Sequence, residues 1–200
     1  SFADMQILVY PENAWHGGTP GNERDWHTAS NWCGGGPDEF KDAYIPVTPW
    51  DPIISSALPA DCKDLWIAAG AKVYINSDAV NSGSLIMHGN FTGSGTVTYN
   101  RYTDANRYYI LSSPVAGADI SPLMAAGVSG FSAYSESSNS WGSYATSGTL
   151  GTGTGYATYR SSNSTNIPFT GTISGDITVP VSSSYERYGW NSLGNPYTSA

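Results

Sequence analysis

The side chains that could carry out acid–base chemistry or bind a metal ion lie mostly before residue 80. The acidic residues of that stretch include Asp25, Asp38, Glu39, Asp42, Asp51, Asp61, Asp64 and Asp78. A hydrolase needs two carboxylates, or a nucleophile and its base, in one cleft, and these acids match no catalytic spacing. The three histidines, His16, His27 and His88, are not spaced as zinc ligands. The sequence therefore predicts a protein that is not an enzyme.

Calcium is the ion that the residue types favour most. Asp38, Glu39 and Asp42 follow closely on the glycine cluster at 34–36, and carboxylate oxygens are the ligands that Ca²⁺ takes in proteins. Their spacing is not that of an EF-hand loop. The residues allow two interpretations, a calcium site or a solvated acidic loop, and we expect no other cofactor.

The two cysteines, Cys33 and Cys62, lie in polar, loop-like surroundings. An even number of cysteines in a chain rich in Gly, Ser and Thr favours a disulfide. That bond would close a loop of about 28 residues and stabilise the fold by roughly 3 kcal/mol. The alternative is two unrelated reduced thiols.

Aromatic side chains are the groups with which this chain could bind a carbohydrate, because sugar rings stack their C–H faces on indole and phenol rings. The candidate stacking residues are Trp66, Tyr74, Trp141 and Tyr156. Alternation along the chain predicts that Trp66 and Tyr74 face away from the core. Aromatic residues also fill β-sheet cores, so burial is the alternative for each of them.

Composition and charge exclude several classes of partner. The chain has 200 residues, of which only 12% are charged, and its net charge is −8. Its basic residues are scattered, so a phosphate backbone would be repelled and no nucleic-acid partner is expected. No apolar run approaches the ~18 residues of a membrane span, so we expect no membrane insertion.

The first half of the chain predicts two consecutive regions. Residues 1–52 comprise an N-terminal strand at 6–10 and a long loop rich in Trp and Pro. Residues 53–100 contain short β-prone runs at 53–54, 65–67, 73–75, 85–87 and 97–99, separated by glycine-containing turns. Short strands at such spacing can stack as a β-solenoid, and a meandering sandwich would leave a similar pattern. We favour a β-solenoid-like stack.

The second half, residues 101–200, predicts antiparallel sheet in a β-sandwich-like module. Short β-prone runs at 108–111, 156–159 and 177–179 alternate with Gly, Ser, Thr and Asn. One helical turn is predicted at 121–126, with Ser121 as its cap and Pro122 at the first helical position. The fold class predicted for the whole chain is therefore all-β.

Two series of short strings resemble segments of large secreted surface proteins of Bacteroidetes-type bacteria. The first series comprises W-H-T-A-S-N-W at 26–32, A-Y-I-P at 43–46, P-I-I at 52–54, C-K-D-L-W-I at 62–67 and G-A at 70–71. The second comprises Y-I-L-S-S-P-V at 109–115, G-T-G-Y at 153–156 and W-N-S-L-G-N-P-Y at 190–197. In those proteins the first series opens a short β-helical stack, and the module of the second continues beyond its last string. The resemblance thus implies that the module at 101–200 is incomplete.

The resemblance also carries the functional expectation. Such proteins are adhesin-like or are attached to secreted hydrolases, and they are exported by the type IX secretion route. It implies a non-catalytic structural or adhesive segment, located extracellularly or at the cell surface. The expected partners are neighbouring domains of the same polypeptide, an extracellular polysaccharide or another cell-surface protein. The alternative function is a carbohydrate-binding accessory module of a secreted polysaccharide-degrading enzyme.

Overall fold

The computed structural model describes residues 11–161, 165–184 and 189–199, and the strand predicted at 6–10 lies outside these ranges. As predicted, the fold is all-β; the described helical segments are a 3-10 turn, Ala29–Asn31, and one α-helix, α1 (Ile120–Ala125). The first eight strands are β1 (Ala43–Ile45), β2 (Ile53–Ile54), β3 (Ala60–Cys62), β4 (Leu65–Ile67), β5 (Lys72–Asn76), β6 (Leu85–Met87), β7 (Phe91–Gly93) and β8 (Thr96–Thr103). The others are β9 (Arg107–Leu111), β10 (Ser132–Ser135), β11 (Ser140–Trp141), β12 (Tyr156–Arg160) and β13 (Thr165–Gly171).

Strands β1 to β8 pair in parallel, and each of β1 to β5 pairs with the strand three further along the chain. One sheet has the order β1-β4-β7, a second contains β2-β5-β8, and a third pairs β3 with β6. The chain therefore passes through the three sheets in a fixed order and then returns to the first. In the first sheet Ala43 aligns with Leu65, and Leu65 aligns with Phe91.

Alternation of side chains turns one face of these strands into the core. In β5, Val73 and Ile75 are fully buried, whereas Lys72 is exposed, which confirms the period-two interpretation. In β4, Leu65 and Ile67 are fully buried and Trp66 between them is exposed. Strands this short bury enough apolar surface only because neighbours in all three sheets contribute to the same core.

The tryptophan-rich loop packs against the beginning of this arrangement. Isolated parallel bridges join Ala14 to Tyr44 and Asp25 to Ile53, so the loop runs alongside β1 and β2. Trp15, Trp26 and Trp32 are buried. The ring centroid of Trp32 lies 5.0 Å from that of Trp15 and 4.7 Å from that of Trp26, and both contacts are edge-on. Edge-on contact is a favourable arrangement of aromatic rings, and these indoles extend the core beyond the first strands.

The second half of the chain forms an antiparallel sheet with the order β11-β10-β12-β9. Strand β8 crosses the boundary predicted at residue 100 and pairs antiparallel with β13, so the two halves share one sheet. Helix α1 forms where the helical turn was predicted, but its N-cap is Asp119, whose carboxylate accepts a hydrogen bond from the Ser121 amide at 2.7 Å. The β-prone run at 177–179 is not a strand. No helix in the described ranges is long and apolar enough to cross a membrane.

A glycine permits the close approach of β4 and β7. Gly93 aligns with Ile67 and has a φ of 96°, a backbone conformation that favours glycine. A Cβ atom at this position would lie 2.1 Å from the Ile67 carbonyl oxygen. The end of β7 therefore requires a residue without a side chain.

The assignment of the core predicts that the same leucine-to-alanine substitution lowers the free energy of unfolding by different amounts at two positions. Leu65 is fully buried and Leu58, in the same half of the chain, is 55% exposed. We expect Leu65→Ala to lower the free energy of unfolding by about 2–5 kcal/mol, because it leaves a cavity. Leu58→Ala should change it by less than about 0.5 kcal/mol. Urea unfolding followed by circular dichroism measures both, and equal losses would contradict the assigned core.

Candidate functional site

The outer face of the β1-β4-β7 sheet carries an ordered array of polar and aromatic side chains. Asp42 and Asp64 lie just before β1 and β4, two residues before Tyr44 and Trp66, and all four line the same groove. The parallel register sets Tyr44 beside Trp66, and Trp66 beside Thr92. We call such a line of neighbouring residues across the sheet a row. One row consists of Tyr44, Trp66 and Thr92. The row two residues earlier in each segment consists of Asp42, Asp64 and Asn90.

These side chains line a groove of about 310 Å³, which we call the outer groove. Its lining residues are Asp42, Ala43, Tyr44, Asp64, Leu65, Trp66, Asn90 and Thr92. The rings of Tyr44 and Trp66 have centroids 6.3 Å apart and are inclined by 48°. Trp66 is 37% exposed, so part of its indole is accessible to a ligand.

Hydrogen bonds hold the two carboxylates of the outer groove in place. Asp64 Oδ1 accepts a hydrogen bond from the backbone amide of Asn90 at 2.6 Å. Asp42 Oδ1 accepts one from the backbone amide of Asp64 at 3.3 Å. The Tyr44 hydroxyl lies 3.5 Å from Asp42 Oδ2. Each carboxylate therefore uses one oxygen to bind the backbone amide of the residue that precedes the next strand of the sheet. Within the described ranges neither Asp42 nor Asp64 forms an ion pair.

Two of the predicted stacking residues have different environments on the first two sheets. Trp66 faces outward, as predicted, in the outer groove. Tyr74 is half-buried, and the guanidinium carbon of Arg24 lies 5.0 Å from its ring centroid. Such a cation–π contact covers one face of the ring. Tyr74 is therefore a poorer stacking platform than Trp66.

The other two predicted stacking residues, Trp141 and Tyr156, lie in the antiparallel sheet. Trp141 is 41% exposed and packs against Tyr134, with ring centroids 5.4 Å apart. Tyr156 is half-buried, packs edge-on against Phe131 and accepts a hydrogen bond from the Gly151 amide at 2.8 Å. None of the aromatic ring contacts within the described ranges joins any two of the four predicted residues.

The residues of the predicted calcium site are engaged separately. Asp38 Oδ2 lies 3.0 Å from Lys41 Nζ, and the hydrogen bond from Lys41 lowers the pKa of the Asp38 carboxyl. Glu39 is exposed, and Asp42 lies in the outer groove. Among the residues that the structure describes, no group of three or more His, Cys, Asp or Glu side chains could hold a metal ion.

The predicted disulfide is absent within the described residues, where Cys33 and Cys62 are both free thiols. Cys62 lies in β3 with its side chain fully buried, whereas Cys33 is half-buried and its backbone pairs with Ala14 in the tryptophan-rich loop. Burial, with smaller contributions from the charges of Asp61, Asp42 and Asp64, raises the pKa of the Cys62 thiol to about 12. Cys62 is therefore protonated at neutral pH and is not an activated nucleophile.

The three histidines lie at separate places along the chain. His16 Nδ1 is 2.8 Å from the Gly17 carbonyl oxygen, and His27 Nε2 is 2.9 Å from the Pro59 carbonyl oxygen. His88 Nε2 is 3.0 Å from Asp61 Oδ1, across the ends of β3 and β6. In each histidine at least one ring nitrogen therefore lies within hydrogen-bond distance of an oxygen.

Sequence reasoning identified Trp66 but missed the residues around it. Tyr44, Asp64, Asn90 and Thr92 were not predicted to form a binding site, and Asp42 was assigned to calcium. A signal was present in the chain: D-A-Y-I at 42–45 recurs as D-L-W-I at 64–67. Such repetition at the interval of a parallel repeat predicts that equivalent residues lie side by side.

Comparison with family models, curated proteins and solved structures gave no match for this chain.

The state of the cysteines predicts the order in which thiol reagents modify them. In the native protein we expect iodoacetamide to label Cys33 and to leave Cys62 unmodified, because Cys62 is buried and its pKa is raised to about 12. In denaturant both should react. Peptide mass spectrometry measures the labelling, and Cys33→Ser, as the control, should abolish it in the native state. Labelling of either cysteine only after reduction would instead indicate a disulfide.

Proposed function

We propose that this protein is a non-catalytic structural and adhesive segment of a large secreted or cell-surface protein. The observation that carries the proposal is the parallel pairing of each strand from β1 to β5 with the strand three further along. This arrangement supports a short β-solenoid, in which each turn of the chain forms hydrogen bonds with the next. The antiparallel sheet of β9 to β12 supports a β-sandwich-like module after it.

A stack of this kind acts mechanically. Hydrogen bonds between successive turns run along the stack, and the aliphatic interior, with Leu65, Val73 and Leu85 all buried, resists shear between the sheets. The segment would hold neighbouring domains of its polypeptide at a defined separation. Its outward side chains would present binding groups to a polysaccharide or to another surface protein.

The structural role predicts a gradient of backbone protection. Strands β4 and β5 each have a strand on both sides, so their amides should exchange with solvent only through large-scale unfolding. The loop at 177–182 contains no strand and is largely exposed, so its amides should exchange early and serve as the internal control. Hydrogen–deuterium exchange with mass spectrometry measures both. Rapid exchange of 65–67 and 72–76 would contradict a stiff stack.

The second candidate function, carbohydrate binding, is favoured by the outer groove. Its accessible indole supplies a stacking surface, and its carboxylates, the Asn90 amide and the Thr92 hydroxyl supply hydrogen-bonding groups of the kind that fix a sugar's orientation. This activity is compatible with the adhesive role, since an adhesive segment needs a surface that binds a ligand.

Carbohydrate binding at this position predicts an effect specific to one tryptophan. Trp66→Ala should weaken binding to glycans by about tenfold or more, since stacking is lost. Trp141→Ala is the matched control, because Trp141 has a similar exposed fraction, 41% against 37%, but lies outside the outer groove. Isothermal titration against a panel of soluble oligosaccharides measures the affinities.

Three outcomes would count against the proposals. If no glycan in the panel binds the wild-type chain, the carbohydrate-binding candidate fails. If Trp141→Ala weakens binding as much as Trp66→Ala, the assignment to the outer groove fails. If new reducing ends accumulate during incubation with the glycans, the chain is catalytic and the main proposal fails.

A further inference from the structure

The outer groove combines an aromatic surface with negative charge. Asp42 and Asp64 immediately precede the paired parallel strands β1 and β4, and the backbone amide of Ala43 donates a hydrogen bond to the Asp64 carbonyl oxygen at 2.8 Å. Like charges opposite each other on adjacent strands repel, and no basic side chain lines the groove. A lysine precedes each of these acids along the chain: Lys41 is paired with Asp38 at 3.0 Å, and Lys63 is exposed and does not line the groove. The groove is therefore complementary to a cation.

The aromatic side chains beside the carboxylates indicate which class of cationic ligand fits the groove. Trp66 and Tyr44 lie one row away from the carboxylates and present ring surface beside them. A ligand that fills both rows has a flat apolar face and an adjacent positive charge. The polar atoms of Asn90 and Thr92 at the far side of the groove would pair with further hydroxyl groups.

We propose that the outer groove binds a glycan that contains amino sugars with free, protonated amines. The pyranose ring stacks on Trp66, and its ammonium group lies between the carboxylates of Asp42 and Asp64. The proposal rests on the carbohydrate-binding function proposed above and names its ligand class. A lysine side chain supplies the charge but lacks the rigid ring and hydroxyl groups, so it matches fewer groups of the groove.

The substitutions that test this remove charge and keep hydrogen bonding. Asn in place of Asp42 or Asp64 retains an Oδ1 acceptor for the backbone amides that these residues bind. Asp42→Asn and Asp64→Asn should therefore fold normally, and unfolding midpoints at or above that of the wild type would reflect the relief of repulsion. Asp51→Asn is the matched control, because it removes the same unit charge outside the groove.

The experiment compares three tetrasaccharides of one length by isothermal titration at a mildly acidic pH at which the sugar amine is protonated. They are the β-1,4-linked glucosamine tetramer, its fully N-acetylated form and the glucose tetramer. We expect the amine form to bind the wild-type chain about tenfold more tightly than either neutral form, as a charge-assisted contact provides. The preference should vanish in the Asp42→Asn/Asp64→Asn double variant and persist in Asp51→Asn.

The outcomes separate this inference from the function on which it rests. Equal affinity for all three tetrasaccharides, still lost in Trp66→Ala, would overturn the amine preference and leave carbohydrate binding in place. No binding of any glycan would overturn both. A weakening in Asp51→Asn as large as in Asp42→Asn or Asp64→Asn alone would assign the effect to the net charge of −8. A tetralysine peptide binding as tightly as the amine tetramer would overturn the choice of a glycan.

Discussion

The parallel register between strands three apart along the chain is the constraint on which both faces of the first sheet depend. It aligns Ala43 with Leu65 on the inner side and Tyr44 with Trp66 on the outer side. A slip of one residue would turn Leu65 toward solvent and Trp66 into the core. The same hydrogen bonds that build the interior therefore also assemble the outer groove, so the stability of the stack and the geometry of its candidate site are linked.

Outward rows of the first two sheets use polar residues in different ways. On the second sheet Asn76 aligns with Asn100, and the amide of Asn100 donates to that of Asn76 at 2.8 Å, so this pair satisfies itself. Beside the first sheet, Asp42 and Asp64 lie just before β1 and β4. Their carboxylates accept hydrogen bonds from the backbone amides of Asp64 and Asn90, and the Tyr44 hydroxyl lies 3.5 Å from Asp42 Oδ2. An amide ladder holds strands together, whereas a carboxylate pair leaves charge available for a ligand.

The ends of the parallel arrangement are covered by different means. At the beginning, the tryptophan-rich loop lies alongside β1 and β2 and adds three buried indoles to the core. On the second sheet, β13 pairs antiparallel with β8 and so occupies an edge that would otherwise expose unpaired backbone groups. Because β8 belongs to both pairings, the parallel stack and the second half of the chain are joined through a shared sheet. This continuity is compatible with the mechanical role proposed above.

Local residue order was enough to predict the all-β class, the strands at 65–67 and 73–75, the buried face of Val73 and Ile75 and the outward face of Trp66. Those properties depend on alternation within a few residues. The partners of the parallel strands, the joining of Asp42, Asp64 and Asn90 into one row, and the separate environments of Cys33 and Cys62 emerged only in the folded chain. They depend on pairing between segments more than twenty residues apart, which loop lengths and shared core packing select. A local pattern carries no information about that choice unless the repeat itself, here D-A-Y-I and D-L-W-I, is recognised.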